Sequence, residues 1–524
     1  MQRDILIIGA GGAGLTTALK AHENGAKVTI ITKEYPIRSQ TSMAQGGINA
    51  ALGNAGEDSV EAHISNTLKS AHGLASKEAV ELLCTEAPNA VKWLDSIGVC
   101  FSRTKDAKIA QRRLGGASAP RACYAQDYTG MKILHTLYDR CLEAGIEILS
   151  ERTLVEIHKS DNRVSGVSVL NIKNSEIESY SASAVILATG GYSRVYDKNS
   201  TNSTASTGEA IALALEAGAR VSDMEFVQFH PTALKNSSVL ISEGARGAGG
   251  HLLNSKDERF CDELAPRDEV SRAIYEEMQK GEEIFLDIRH LGEEYIDSEL
   301  PQERKLAKLY EGVDPVYELM PIKPSAHYTM GGIEVDENSQ TTLSGLFAVG
   351  ECANHRVHGA NRLGGNSLLE LIVFAKEAAI GAIEYIKSVE STETYKSELN
   401  FASYFCENPE IDFYSVREEL GELFYKNVGI VREKEALEEV LVKVDGFIEA
   451  LPKMGVKDSS SIYNTNLKDF IEFRSMLVLS RLIALGALQR EESRGAHFRA
   501  DAPQESEKFA KHTIIDREGV VDAS

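Results

Sequence analysis

An α/β fold is what the 524-residue sequence predicts: a nucleotide-binding unit, interrupted by an inserted domain and followed by a helical C-terminal domain. Three observations carry this. Residues 4–8 read as a buried strand, 9–14 as a glycine turn, 13–21 as a helix and 27–32 as a second strand, which together make a βαβ unit. Cofactor-type motifs recur near residues 9, 40, 189, 350 and 366, but residues 233–326 contain none and read as an insertion. Beyond residue 391 the stretches VREELGELFYKN and REKEALEEVLVKV space apolar residues by three and four, as a helical bundle requires. The boundaries are therefore 1–232 and 327–390 for the two parts of the nucleotide domain, 233–326 for the insertion and 391–524 for the helical domain.

In the first unit Gly9, Gly11 and Gly14 follow a strand and open a helix. Such glycines let the backbone approach a pyrophosphate held at the helix N-terminus. The acid expected about twenty residues on is displaced: Thr32 and Lys33 end the second strand and Glu34 follows. Further on, AVILATGG runs a strand into Thr189, Gly190 and Gly191, and GLFAVGE ends a strand in Gly350 and Glu351, whose carboxylate can accept from a ribityl hydroxyl. In HGANRLGGNSLLELIVFAKEAA, Asn366 or Ser367 reads as the N-cap of an apolar helix, with the amides near Ser367 and Leu368 facing negative charge on a reduced flavin. These segments point to FAD. A second strand-GxGxxG-helix unit is missing, so a built-in nicotinamide domain is not expected, and electrons enter or leave through another protein, a diffusible donor or oxygen.

The formal net charge of -22 argues against nucleic acid or an anionic membrane surface as a partner, so an anionic substrate needs a local positive pocket. Residues 368–375 and 476–488 are apolar but are interrupted by Glu370 and Arg481 and fall short of a ~20-residue span. With no secretory signal in MQRDILIIGAGG, the expected location is the cytoplasm. None of the seven cysteines stands in a CxxC pair, and no metal site is expected.

Cationic and hydrogen-bonding groups cluster in five segments: His230 in FVQFHPTAL, Ser242, Glu243 and Arg246 in SEGARGAGG, Arg267 in ELAPRDEVSRAI, His327 in AHYTMGG and Arg362 in ANRLGGNS. Arginine forks and imidazoles bind carboxylate oxygens with defined geometry, so the set suits a dicarboxylate.

With GAGGAG, RSQTSMAQGGINAALGN, EFVQFHPTAL, LAPRDEVSRAI, PSAHYTMGGI, HGANRLGGNSLLEL and ESRGAH, the chain closely resembles the flavoprotein subunits of succinate dehydrogenase and fumarate reductase over residues 1–515. That superfamily also includes L-aspartate oxidase. The resemblance implies a Rossmann-like FAD-binding domain, an inserted α+β capping domain and a C-terminal helical domain. It implies interconversion of fumarate and succinate, with His230, Ser242, His327 and Arg362 holding the dicarboxylate, Arg267 delivering the proton, and Glu243 and Arg246 relaying it. FAD contacts are expected at Gly9, Gly11, Gly12, Ala13, Gly14, Thr32, Lys33, Ser39, Gln40, Thr41, Gln45, Gly46, Gly47, Asp223, Glu351, Ser367 and Leu368. An iron-sulfur electron-transfer subunit and a membrane-anchoring subunit are the implied partners, which would hold the chain at the inner face of the cytoplasmic membrane.

Departures from the pattern carry expectations of their own. Membrane-bound members have a histidine in RSHT that links covalently to the flavin, whereas this chain has Gln40, so FAD should be non-covalent and fumarate reduction favoured. Ala248 replaces an acid of the family's RGEGG, which motivates one alternative, a catalytically silent flavin-binding subunit of a larger complex. L-Aspartate oxidase is the other alternative. Its glutamate for the substrate ammonium is matched here by Leu114, which carries no charge.

Overall fold

The computed structural model describes residues 3–160, 162–389 and 395–523. Its centre is a seven-stranded sheet built around the long strand Glu176–Leu187. The apolar second half of that strand runs parallel to Arg3–Ile8 on one side and Leu346–Ala348 on the other, and Arg3–Ile8 in turn pairs with Val28–Thr32. Such a strand is covered on both faces, and Ala184, Val185, Ile186 and Leu187 are fully buried. The first half, EIESYS, is polar apart from Ile177 and Tyr180 and pairs antiparallel with Arg163–Asn171, which continues to Arg152–Ser160. One strand thus joins a parallel nucleotide-type sheet to an antiparallel meander.

Helix Gly12–Glu23 follows the first strand, and helix Asn366–Lys387 packs beside it over the parallel sheet. A second sheet of four antiparallel strands takes the order Val227–Leu234, Met320–Thr329, Ile284–Asp287, His251–Asn254. It has its own core, in which Leu252, Val270, Ile274, Leu286 and Met320 are fully buried beneath helix Arg267–Gln279. Helices Phe413–Asn427, Lys434–Glu449 and Thr465–Gln489 pack together and against helix Glu209–Ala217 and the turn Ser193–Asn199, with Leu420, Leu437, Val440 and Phe473 inside. The helical pattern beyond residue 391 does not extend to its end: Thr513–Asp516 pairs with Val221–Ser222 and with Gly519–Ala523, so the chain returns to a small sheet of the nucleotide-binding part. Among the described residues no helix is long and apolar enough to cross a membrane.

Candidate active site

Between the parallel sheet and the four-stranded sheet lies a cleft of about 1490 Å³, open solvent at its mouth included. One end is lined by the glycine turn, Thr32, Lys33, Ser39, Gln40, Thr41, Gln45, Gly46, Gly47, Glu351, Ser367 and Leu368, and the other by His230, Ser242, Glu243, Arg267, His327 and Arg362.

The nucleotide end has the features a cofactor requires. Gly9 has φ +111°, and a Cβ there would lie 2.2 Å from the Ala188 carbonyl oxygen, so the turn admits no side chain. Gly14 stands off the wall; a Cβ on it would meet the Gly9 oxygen at 2.0 Å, which makes its role close helix-strand packing. Ser39 Oγ, Gln45 Oε1 and Thr189 Oγ1 are buried without a partner, and their residues line the cleft. Buried polar atoms of this kind are normally satisfied, so they mark where a polar ligand docks. Helix Asn366–Lys387 begins one residue earlier than a cap at Asn366 would place it: Gly365 is the N-cap and no side chain caps the helix. The Asn366 amide is engaged elsewhere, with its Oδ1 taken by Asn49 and His63 and its Nδ2 donating to Thr67. The first-turn amides at Ser367 and Leu368 are left for a ligand.

Burial pushes the Glu351 carboxyl up to about 7, although Thr329 donates to it from both its backbone amide (3.0 Å) and its hydroxyl (3.2 Å). Gln40 Oε1 accepts the Ser203 amide at 2.6 Å, and Thr41 Oγ1 accepts the Gly12 amide at 3.0 Å. Lys33 pairs with Glu209 and Glu472 at 2.9 Å each. Burial alone would lower that ammonium, but the two carboxylates outweigh it and hold it above its ordinary range.

Asp223, like Gly14, is a cofactor candidate that does not line the cleft. Its carboxylate meets His512 Nδ1 at 2.6 Å, Asn354 Nδ2 at 2.7 Å and the Thr513 amide at 3.1 Å, so it ties the C-terminal strand to the nucleotide-binding part rather than lining the cleft.

At the other end two irregularities of one strand pair aim the histidines. Gln228 pairs with Tyr328 and Phe229 with Ala326, so His327 is an extra residue in a bulge. A bulge re-aims a side chain, and here it brings the His327 ring to 4.9 Å from that of His230. The second irregularity falls between His230 and Ala233, where Pro231 has no amide to give the ladder. His230 Nδ1 accepts the Thr232 amide at 3.2 Å, which puts the ring proton on Nε2. His327 Nδ1 meets Thr201 Oγ1 at 2.8 Å. Burial first, and then Arg267 and the other nearby cations, hold both imidazoles well below their ordinary pKa, so they are neutral donors.

Ser242 caps helix Glu243–Gly247, its hydroxyl accepting the Gly244 amide at 3.1 Å, while its own amide donates to Glu303 at 3.1 Å. Glu243 Oε2 accepts from Arg267 Nε (3.0 Å) and Nη2 (2.6 Å), and its Oε1 accepts from the Gly115 amide (2.7 Å) and lies 3.8 Å from Arg246 Nη2. The carboxylate fits because a Cβ on Gly115 or Gly364 would come within 2.4 or 2.5 Å of its oxygens. Burial would raise Glu243, but Arg267 and Arg246 hold it below the usual carboxylate range, so it is ionised. Arg362 lies over the Tyr328 ring at 4.3 Å, and burial, followed by the nearby Arg267, brings its guanidinium down to about 10. Pro266 stands at the N-cap of helix Arg267–Gln279 rather than inside its first turn, with Asp268 and Glu269 as the acids of that turn.

The sequence reading omitted Gln228, which is fully buried and donates or accepts at Arg267, Arg362 and Asn361. The signal was present: Gln228 precedes His230 by two residues on a strand, a spacing that puts both on one face. It also omitted Thr201, Asp127 and Glu303, which come from distant segments without a motif.

A family of FAD-binding domains matches residues 4–368, and the fumarate reductase flavoprotein C-terminal family matches residues 417–522. The chain is 37% identical over 559 residues to the succinate dehydrogenase flavoprotein subunit of Rickettsia conorii, covering 99% of this chain and 94% of that one. It is 37% identical over 556 residues to the fumarate reductase flavoprotein subunit of Escherichia coli, covering 99% and 92%. Among solved structures it superposes on an E. coli quinol fumarate reductase with a TM-score of 0.94 at 35% identity, covering 100% of this chain and 96% of that one.

Proposed function

The chain belongs to the family of succinate dehydrogenase and fumarate reductase flavoprotein subunits, which are FAD-dependent oxidoreductases, and from that premise we propose that it interconverts fumarate and succinate, working towards fumarate reduction. The observation that carries the reading is the buried pair of Glu243 with Arg267 beside Arg362, His230 and His327 in one cleft of an acidic chain, with Arg246 behind Glu243 and off the cleft wall. The Arg267 and Arg362 guanidiniums and two neutral imidazoles offer a dianion charge and N–H donors, while Glu243, already engaged by Arg267 and the Gly115 amide, does not compete for it.

FAD, when bound, supplies or accepts the hydride. Arg362, His327, His230 and Ser242 hold the substrate carboxylates and polarise the alkene, stabilising the charge that develops as hydride arrives; such preorganised groups contribute several kcal/mol in a dry site. Arg267 Nη1 has two hydrogens and gives only one to Gln228, so the other is free for the substrate carbon. Glu243 Oε2, bonded to Nε and Nη2, returns a proton taken up by way of Arg246. With Gln40 where a covalent link would need histidine, FAD is held non-covalently, which favours the reductive direction. An iron-sulfur subunit and a membrane-anchoring subunit, as in complexes of this family, would carry the electrons and fix the chain at the cytoplasmic face of the membrane. L-Aspartate oxidation is not supported: Leu114 lines the cleft where an ammonium would need a carboxylate.

The test is a steady-state assay of purified holoprotein with a reduced viologen donor. Fumarate-dependent donor oxidation with succinate as product is expected, with no peroxide formed from L-aspartate in air. Rapid peroxide and iminoaspartate formation would overturn the assignment.

A further inference from the structure

Gln228 enters the mechanism above only as the acceptor of one Arg267 hydrogen, yet all four of its amide positions are used. Its Oε1 accepts from Arg267 Nη1 and from Arg362 Nη2, both at 3.1 Å, and its Nε2 donates to Asn361 Oδ1 at 2.7 Å and to the Arg362 carbonyl at 2.9 Å. The amide orientation is chemically fixed, because guanidiniums only donate and a carbonyl only accepts. Asn361 passes the contact on, donating from Nδ2 to Asp268 Oδ1 at 2.8 Å. The pair Gln228 and Asn361 therefore holds both residues that open helix Arg267–Gln279, and does so from the strand and the loop that carry His230 and Arg362.

Two like charges sharing a buried oxygen would otherwise move apart. Arg267 and Arg362 belong to different segments, and nothing covalent sets their spacing. We infer that Gln228 is a positioning residue: with Asn361 it fixes the separation of the Arg267 and Arg362 guanidiniums, and so sets the length of dicarboxylate the cleft accepts and the aim of the transferred proton. The inference rests on the dicarboxylate reading of the cleft. A shift of about 1 Å in a positioned group can cost on the order of 100-fold in rate, so the loss is expected in kcat and length selectivity rather than in affinity for the native substrate.

Gln228→Met keeps the shape and removes every polar contact, whereas Gln228→Glu keeps an acceptor and adds a negative charge between the guanidiniums. Holoproteins with unchanged FAD content are compared in two ways. In turnover, Gln228→Met is expected to lower kcat for fumarate by about 30–100-fold with KM changed less than about 3-fold. Gln228→Glu is expected mainly to raise KM, by about 10-fold or more, because it cancels positive charge that binds the dianion. Without turnover, dissociation constants of malonate, succinate and glutarate are read from the flavin spectrum. The native protein should discriminate among these chain lengths by about 10-fold, and Gln228→Met by less than about 3-fold. A merely structural residue would lower FAD content or melting temperature and leave the length ranking intact. A Gln228→Met protein with native kcat and native ranking overturns the inference. If Gln228→Met does not hold FAD, Gln228→Glu decides through its KM and ranking. Native protein that binds the acids with a ranking Gln228 controls, yet does not reduce fumarate, would sink the proposed reaction and keep the positioning role.

Discussion

Arg267 bears the heaviest chemical demand in the site, because a guanidinium holds its proton tightly and must still release one. Arg267→Ala is expected to lower kcat for fumarate reduction by about three orders of magnitude while FAD stays bound, since that side chain is bonded to Glu243 and Gln228 at the cationic end of the cleft. It also leaves Glu243 buried with a weaker partner, at about 3–5 kcal/mol of stability. Thermal melts and flavin content, recorded beside the kinetics, separate the two effects; near-normal turnover would remove Arg267 from the proton path. The histidines support a pH prediction. His230 and His327 stay neutral far below pH 6.5, so neither gains charge on acidification in the folded protein, and KM for fumarate acquires no inflection from them between pH 6 and 8. A KM that falls about ten-fold as pH drops through 6.5, with the fall abolished in His327→Asn, would contradict this. The polar groups at the cationic end of this cleft, His230, Ser242, Glu243, Arg267, His327 and Arg362, were legible in the sequence because each sits in a short, unusual motif. Asp223 was expected at the cofactor, whereas in the structure it bonds to His512 and Thr513, from a strand some 290 positions on, which no local pattern announces.

The elements matter through their ends and irregularities. The bulge that turns His327 towards His230 cannot be read from alternation, since one inserted residue inverts the faces beyond it. The glycine turn and both first strands were readable to within a residue or two, because period and punctuation coincide there. Helix Pro301–Tyr310 starts without a cap of its own, and Asp127 supplies one from outside, its Oδ2 accepting the Gln302 amide at 2.6 Å and the Glu303 amide at 3.1 Å. Asp127→Ala is expected to cost about 1–2 kcal/mol and to expose the four-stranded-sheet region to limited proteolysis, whereas an unchanged melting temperature and cleavage pattern would show the cap to be idle. In the turn Gln40–Met43, Gln40 is bonded to the Ser203 amide and has no nucleophilic nitrogen, so acid or heat should release FAD intact. Flavin remaining with the precipitated polypeptide would contradict non-covalent binding.

At the scale of the molecule, a chain with a net charge of -22 gathers Arg246, Arg267 and Arg362 around one buried carboxylate beside a nucleotide cleft. Length and charge made the need for such a local exception legible, and the motifs named its members. The sequence could not convey that the strand Thr513–Asp516 folds back onto the nucleotide-binding part, because its pairing with Val221–Ser222 is long-range and its residues carry no turn signal linking them. The central claim is that this cleft transfers a hydride and a proton to fumarate. A single-turnover experiment tests it most directly: holoprotein reduced with one equivalent of dithionite is mixed anaerobically with fumarate, and flavin absorbance and succinate are followed together. The account predicts full reoxidation with one succinate formed per flavin, and a reduced flavin that persists in Arg267→Ala. Flavin that stays reduced in the native protein at saturating fumarate would contradict it.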